Sequence, residues 1–179
     1  MSKIRLLAEG LNVSPLRDAL AQNPQLWDQY RARTSHPDSP HYELSDIWPR
    51  FAAPGVDGSQ PHTAVWYPSA DILPIRELVY PLMSQVCGDQ LGGVLITKIP
   101  AGKQCRPHTD PGWHAGYYQK FAIQVEADAG QEFCFEGESL ITKPGDLFWF
   151  DNSFTHWVTN PTAHDRITVI VCIKTDKEY

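Results

Sequence analysis

The sequence predicts a mainly-β fold of the sandwich or jelly-roll kind. Three observations lead there. From Gly93 onward the hydrophobic pattern runs in short strand-like stretches, at residues 93–99, 121–126, 131–136, 139–142, 146–150, 156–160 and 166–174. Turn signals at Pro100-Ala101-Gly102, Glu136-Gly137 and Pro144-Gly145 separate several of them. There is no solenoid-length repeat and no low-complexity tract, so strands of this spacing are expected to close into two packed sheets. At 179 residues the chain suits a single domain, long enough to bury about 70% of its unfolded surface.

Ahead of the strands the chain reads as helical and irregular. Ser14-Pro15 begins a helix, an N-cap followed by proline, with Leu16, Ala19 and Leu20 on its apolar side and Pro24 at its end. A short second helix is expected over residues 25–31. Residues 33–68 are broken by His36-Pro37, Ser39-Pro40, Trp48-Pro49, Ala53-Pro54-Gly55 and Gln60-Pro61. They are also rich in Trp, Tyr, His and Arg, the composition of a binding loop or lid and not of a linker. Residues 72–86 predict a helix with Leu78, Val79, Leu82, Met83 and Val86 on one side, a kink at Pro81 and a stop at Gly88.

Apolar content of 42% and charged content of 20% are globular values and argue against disorder. A net charge of −6 with no basic cluster argues against nucleic acid as the partner. No apolar run approaches the ~20 residues of a membrane span, and residues 1–10 lack a signal peptide's apolar core. A cytoplasmic protein without a membrane partner is the expectation. Of the four cysteines, Cys134 and Cys172 sit in apolar strand patterns and read as core. Cys105, three residues before His108, is half of a zinc site with no second Cys-His pair to complete it. Disulfides are not expected in that compartment.

The chemistry concentrates between Arg106 and Arg166. His108 and Asp110 are two residues apart, so on an extended backbone they leave the same face. His156 follows several strands later. Two imidazoles and one carboxylate on one side of a metal, with the other positions open, is the arrangement of non-haem iron(II) oxygenases. Arg166, at the head of the last strand, offers a planar fork for a co-substrate carboxylate. The plainer alternatives are a hydrogen-bonded turn for His108 and Asp110, a structural histidine at 156 and a sheet-edge arginine at 166.

From Thr97 to Lys174 the sequence resembles the aspartyl/asparaginyl β-hydroxylase family of Fe(II)/2-oxoglutarate oxygenases. The residues that carry the resemblance are Pro107-His108-Thr109, then Phe150-Asp151-Asn152-Ser153-Phe154-Thr155-His156, Val158 and Arg166. The resemblance selects, among jelly rolls, the cupin-like double-stranded β-helix. Residues 93–179 would form its core and residues 1–92 a helical and irregular part buttressing the sheet, all in one domain, 1–179. One departure stands out: the namesake enzymes carry glycine where this chain has Asp110, which restores the fuller triad of the broader superfamily.

The resemblance implies His108, Asp110 and His156 as metal ligands, with Fe(II), 2-oxoglutarate and O2 as cofactor and co-substrates. It implies Arg166 on the distal carboxylate of 2-oxoglutarate, with Thr97, eleven residues before His108, assisting. Lys120 aligns loosely with a basic residue near the other carboxylate or the substrate; a solvated lysine is the alternative. The substrate would be an amino-acid side chain in a protein, a peptide or a free amino acid. Trp113 and Tyr117, with His114 and Tyr118, read equally as a pocket wall or as a cap over a sheet end. Gln124 points the same way as Lys120 on a regular strand. His41, Trp48 and Arg50 are expected to meet substrate from the 33–68 segment. The competing readings are a cupin-like metal or small-molecule binding protein without turnover, and a zinc hydrolase or isomerase on the same scaffold.

Overall fold

In a computed structural model, which describes residues 2–179, two antiparallel sheets face each other and a layer of helices covers the outer face of the larger. The first element is a strand the hydrophobic pattern did not announce, β1 (Ile4–Ala8), which pairs along a later strand, β9 (Leu147–Phe150). Helix α1 (Ser14–Gln22) starts at Ser14-Pro15 and buries Leu16 and Leu20. The helix expected over residues 25–31 is one 3-10 turn, Pro24–Leu26.

The segment 33–68 is not irregular throughout. It contains β2 (Ser45–Ala52) and β3 (Ala64–Trp66), which extend the larger sheet. Pro49 has no N–H to give, and it falls where the β2 pairing with β4 (Gln90–Ile99) breaks register between Ile47 and Arg50. The helix expected over residues 72–86 begins only after Leu73-Pro74, as α3 (Arg76–Gln85), and a separate helical turn, α2 (Ser69–Ile72), precedes it. Pro81 lies within α3, which buries Val79 and Leu82.

The remaining elements are β5 (Gln104–His108), α4 (Trp113–Tyr117), β6 (Gln119–Glu126), β7 (Glu132–Phe135), β8 (Glu138–Ile141), β10 (His156–Thr159) and β11 (Arg166–Lys174). The larger sheet runs β1-β9-β6-β11-β4-β2-β3 and the smaller β5-β10-β7-β8, the crossing pattern of a jelly roll. Strands from the first 92 residues therefore complete the larger sheet, the one that carries Thr97, Lys120 and Arg166.

Alternation along the central strands sorts two cores. Phe121, Ile123 and Val125 of β6, with Ile167, Val169, Val171 and Ile173 of β11, face the helices and join Leu16, Val79 and Leu82. Ala122, Phe148 and Phe150 face the other way and pack between the sheets against Phe133, Phe135 and Val158. The polar residues of the site occupy this second face. No described helix is long and apolar enough to cross a membrane.

Candidate metal and co-substrate site

His108 ends β5 and His156 begins β10; the two are direct partners across the ladder, so their rings stand side by side, centroids 4.4 Å apart. Asp110 follows two residues on, its backbone N–H donating to Asn152 O at 3.2 Å. The ligand atoms of His108, Asp110 and His156 lie within 4.8 Å of one another. Each histidine Nδ1 meets a carbonyl, Arg106 O at 2.7 Å and Phe154 O at 2.9 Å. A carbonyl only accepts, so Nδ1 carries the proton and Nε2 keeps its lone pair, the tautomer a metal ligand needs. His156 is further fixed by stacking on Phe133, ring centroids 5.7 Å apart and nearly parallel. This donor set fits a divalent metal that binds nitrogen and oxygen and keeps open positions.

The electrostatics suit the same use. Burial lowers the His156 pKa, favouring the neutral ring. Burial pushes the Asp110 carboxyl up, but Lys120 first, then His156, His108 and Arg33, outweigh it and hold it below its ordinary value. Lys120, expected from sequence as a co-substrate contact or a solvated cation, is largely but not fully shielded from solvent. Its Nζ lies 3.7 Å from Asp110 Oδ2, and the two side chains are only 14% and 25% exposed.

His108, Asp110, His156, Lys120 and Arg166 line one cavity of about 350 Å³. Arg166 is 1% exposed. Its Nη2 donates to Thr142 Oγ1 at 3.1 Å, while its Nη1 is buried with no hydrogen-bond partner, and it makes no ion pair among the described residues. Burial draws its pKa down to about 10, which still leaves the guanidinium charged at neutral pH. A buried cation without an anion costs several kcal/mol, of order 3–5. The position fits an anionic ligand such as a carboxylate.

Behind Arg166 stands Gln124. Its Nε2 donates to Glu126 O and Ile167 O at 2.7 and 2.8 Å, and its Oε1 accepts from Thr142 at 2.9 Å. Fully buried, Gln124 does not reach the cavity as the sequence suggested; it holds the threonine that holds the arginine. Sequence reading missed Thr142, which sits among turn residues with nothing local to mark it.

Thr97 lines the cavity, but its hydroxyl is engaged. It donates to Asp46 Oδ1 at 3.0 Å and accepts from Arg33 Nη2 at 3.1 Å, and Arg33 Nε meets Asp46 Oδ2 at 2.7 Å. Arg33, in the segment expected to be a lid, thus lines the cavity already paired with the fully buried Asp46 of the same segment.

The opposite wall is aromatic. Trp48, Phe51 and His114 line the cavity with His41, whose pKa burial depresses far below that of a free imidazole. Trp48 and Phe51 meet edge to face at 4.7 Å, and His62 bridges Phe51 to Trp113. Gly93 lets this wall close up: a Cβ there would come within 3.1 Å of Phe51. Trp113 and Tyr117 lie outside the cavity, around a shallower depression shared with His62 and Tyr118. Arg50 also points away, donating to Gly92 O at 3.1 Å and stacking over Trp66. Both sheets and the helix α4 therefore place Trp113, Tyr117, Gln124 and Arg50 off the cavity and His41 and Trp48 on it.

A double-stranded β-helix with a His-x-Asp…His set at its mouth and a buried arginine beyond is the architecture of the iron(II)/2-oxoglutarate oxygenases. Solved structures share the fold. One is an oxidoreductase of the 2OG-Fe(II) oxygenase family from Burkholderia pseudomallei, at TM-score 0.63 and 12% identity, covering 96% of this chain and 85% of that one. A prolyl hydroxylase from Trichoplax adhaerens, in complex with a hypoxia inducible factor peptide fragment, aligns at TM-score 0.59 and 11% identity over 96% and 83%. The viral collagen prolyl hydroxylase of Paramecium Bursaria Chlorella virus-1, as its 2OG complex, aligns at 0.56 and 12% over 97% of both chains. No curated protein matches the sequence. The family model of aspartyl/asparaginyl β-hydroxylase matches residues 75–175, more than half the chain. The chain belongs to that family, and it is an oxygenase of the 2-oxoglutarate-dependent type.

Proposed function

We propose that this oxygenase hydroxylates an amino-acid side chain, in a protein, a peptide or a free amino acid, and that residues 1–179 act as one domain in doing so. His108 and His156 would hold Fe(II) through Nε2, and Asp110 through its carboxylate. Bound there, Fe(II) supplies the redox chemistry by which O2 oxidises a substrate C–H bond while 2-oxoglutarate is decarboxylated to succinate.

The observation that carries the reading is Arg166: a buried guanidinium with a free Nη1, lining the same cavity as His108, Asp110 and His156. It would bind the distal carboxylate of 2-oxoglutarate, oriented by Thr142 and, through it, by Gln124. Thr97 would brace the Arg33–Asp46 pair at the cavity wall and so assist indirectly. Lys120 would balance the charge of Asp110 and add a cation for the other carboxylate. Trp48, Phe51 and His114 would exclude water and seat the substrate.

A side-chain substrate is supported by the aspartyl/asparaginyl hydroxylation for which the family is named and by the peptide held in the Trichoplax adhaerens structure. A cytoplasmic setting suits the four free thiols. The test is succinate release with Fe(II), O2 and 2-oxoglutarate, screened against amino acids and peptides. Stimulated release that depends on all three is expected. A protein that binds metal yet releases no succinate with any of them is the non-turnover alternative.

A further inference from the structure

We infer that the cavity contains a second metal position, built from His41, Cys105 and His108, which takes a sulfur-seeking divalent ion such as Zn²⁺ and switches the oxygenase off. The donor atoms of these three residues lie within 4.8 Å of one another. Cys105 and His108 form the half-site visible in the sequence as Cys-x-x-His, with Sγ 3.9 Å from His108 Nδ1. The missing partner comes from 67 residues earlier than the histidine: His41 is set edge to face on His108, ring centroids 4.7 Å apart. His41 is brought there by the turn that precedes β2, a contact no sequence spacing reports.

The two donor sets differ in kind. His108, Asp110 and His156 offer nitrogen and hard oxygen, which suit Fe(II). His41, Cys105 and His108 replace the carboxylate by a thiolate, which suits Zn²⁺. A tetrahedral zinc site wants its donors about 3.5 Å apart, so the side chains must close by about 1 Å, within reach of χ rotation. On binding, Cys105 releases its thiol proton to solvent, the His108 ring gives up its Nδ1–H bond to Arg106 O and carries its proton on Nε2 instead, and the sulfur and Nδ1 lone pairs go to the metal; nothing is oxidised or reduced. His108 belongs to both sets, so an ion held by sulfur takes a ligand from the iron set. That inhibitory consequence rests on the proposed iron site; the binding itself does not.

The experiment is an anaerobic titration of the full chain with Co²⁺, whose thiolate complexes absorb in the near ultraviolet. A sulfur-to-cobalt band is expected in the wild type and in His156→Ala, absent in Cys105→Ser and weakened in His41→Ala. No such band, or one that survives Cys105→Ser, overturns the site. If Cys105→Ser does not fold, His41→Ala decides, and an unchanged band there has the same meaning. In turnover, Zn²⁺ should inhibit Cys105→Ser at least about tenfold more weakly than wild type, the loss of ~1.4 kcal/mol of zinc affinity. Equal inhibition overturns the regulatory half. An enzyme with no turnover at all would leave the cobalt band readable, so failure of the oxygenase reading and failure of the site are told apart.

Discussion

Lys120 Nζ stands 3.7 Å from Asp110 Oδ2 in a cavity that a metal and a dianion would share. Removing that cation should affect the two ligands in opposite directions. In Lys120→Met a divalent metal meets one less positive charge and binds as tightly as before or tighter. 2-Oxoglutarate loses a favourable charge and should bind about tenfold more weakly, near the ~1.5 kcal/mol of a charged hydrogen bond. The metal-free fold keeps Asp110 without its partner, so Mn²⁺ should raise the melting temperature more in Lys120→Met than in wild type. A smaller rise would mean that the pair serves neither ligand.

Arg166 should govern co-substrate and not metal. Losing one partner of a buried charge pair costs ~2–5 kcal/mol, so Arg166→Ala should raise the KM for 2-oxoglutarate from roughly 30-fold to several thousand-fold. Arg166→Lys should recover only part, lacking the fork. Thr142→Val removes the acceptor of Arg166 Nη2 and should cost ~1 kcal/mol, about fivefold in KM, with Mn²⁺ affinity unchanged. Titration calorimetry of metal and co-substrate separately checks the split; a parallel loss of both would assign these residues to the fold.

Acid should destabilise the metal-free protein through its buried imidazoles. Burial pushes His114 down to about 4 from 6.5 and lowers His156 as well. Below pH 6.5 the unfolded chain takes up protons that the folded one refuses, so stability falls as pH drops through the window to about 4 for His114. Urea unfolding at about pH 7 and about pH 5 measures the drop. His114→Phe should shrink it; an unchanged difference would remove this histidine from the account.

The aromatic wall should set coupling. Gly93→Ala places a methyl 3.1 Å from Phe51, and Trp48→Ala opens the same wall. Both variants should retain 2-oxoglutarate binding while succinate release runs ahead of substrate oxidation. Matched yields of succinate and hydroxylated product in both variants would move the substrate pocket elsewhere.

Much of this was legible because the central strands are buried on both faces and read as apolar runs: the stretch 166–174 matches β11 from end to end. The ligand candidates were visible because Asp110 follows His108 at strand spacing. Other elements hid for identifiable reasons. β2 is interrupted by Trp48-Pro49, and β5 is five residues long with Pro107 inside, so neither shows a clean period. Thr142, Arg33 and Asp46 carry no local signature, since their partners lie 24, 64 and 51 residues away. Gln124 was misassigned because the strand face it shares with Lys120 passes from the cavity into solid core.

Trp48 and Asp46 sit on β2, whose ladder to β4 breaks register at Pro49. An insertion or deletion there would slip the strand and turn Asp46 from Arg33 and Thr97, dismantling the wall along with the sheet edge. Exchanging the indole for a smaller or more polar group would leave the ladder intact. Divergence of substrate preference in such a lineage is therefore channelled into the identity of single side chains, with the length of this segment held constant by the same hydrogen bonds that shape the pocket.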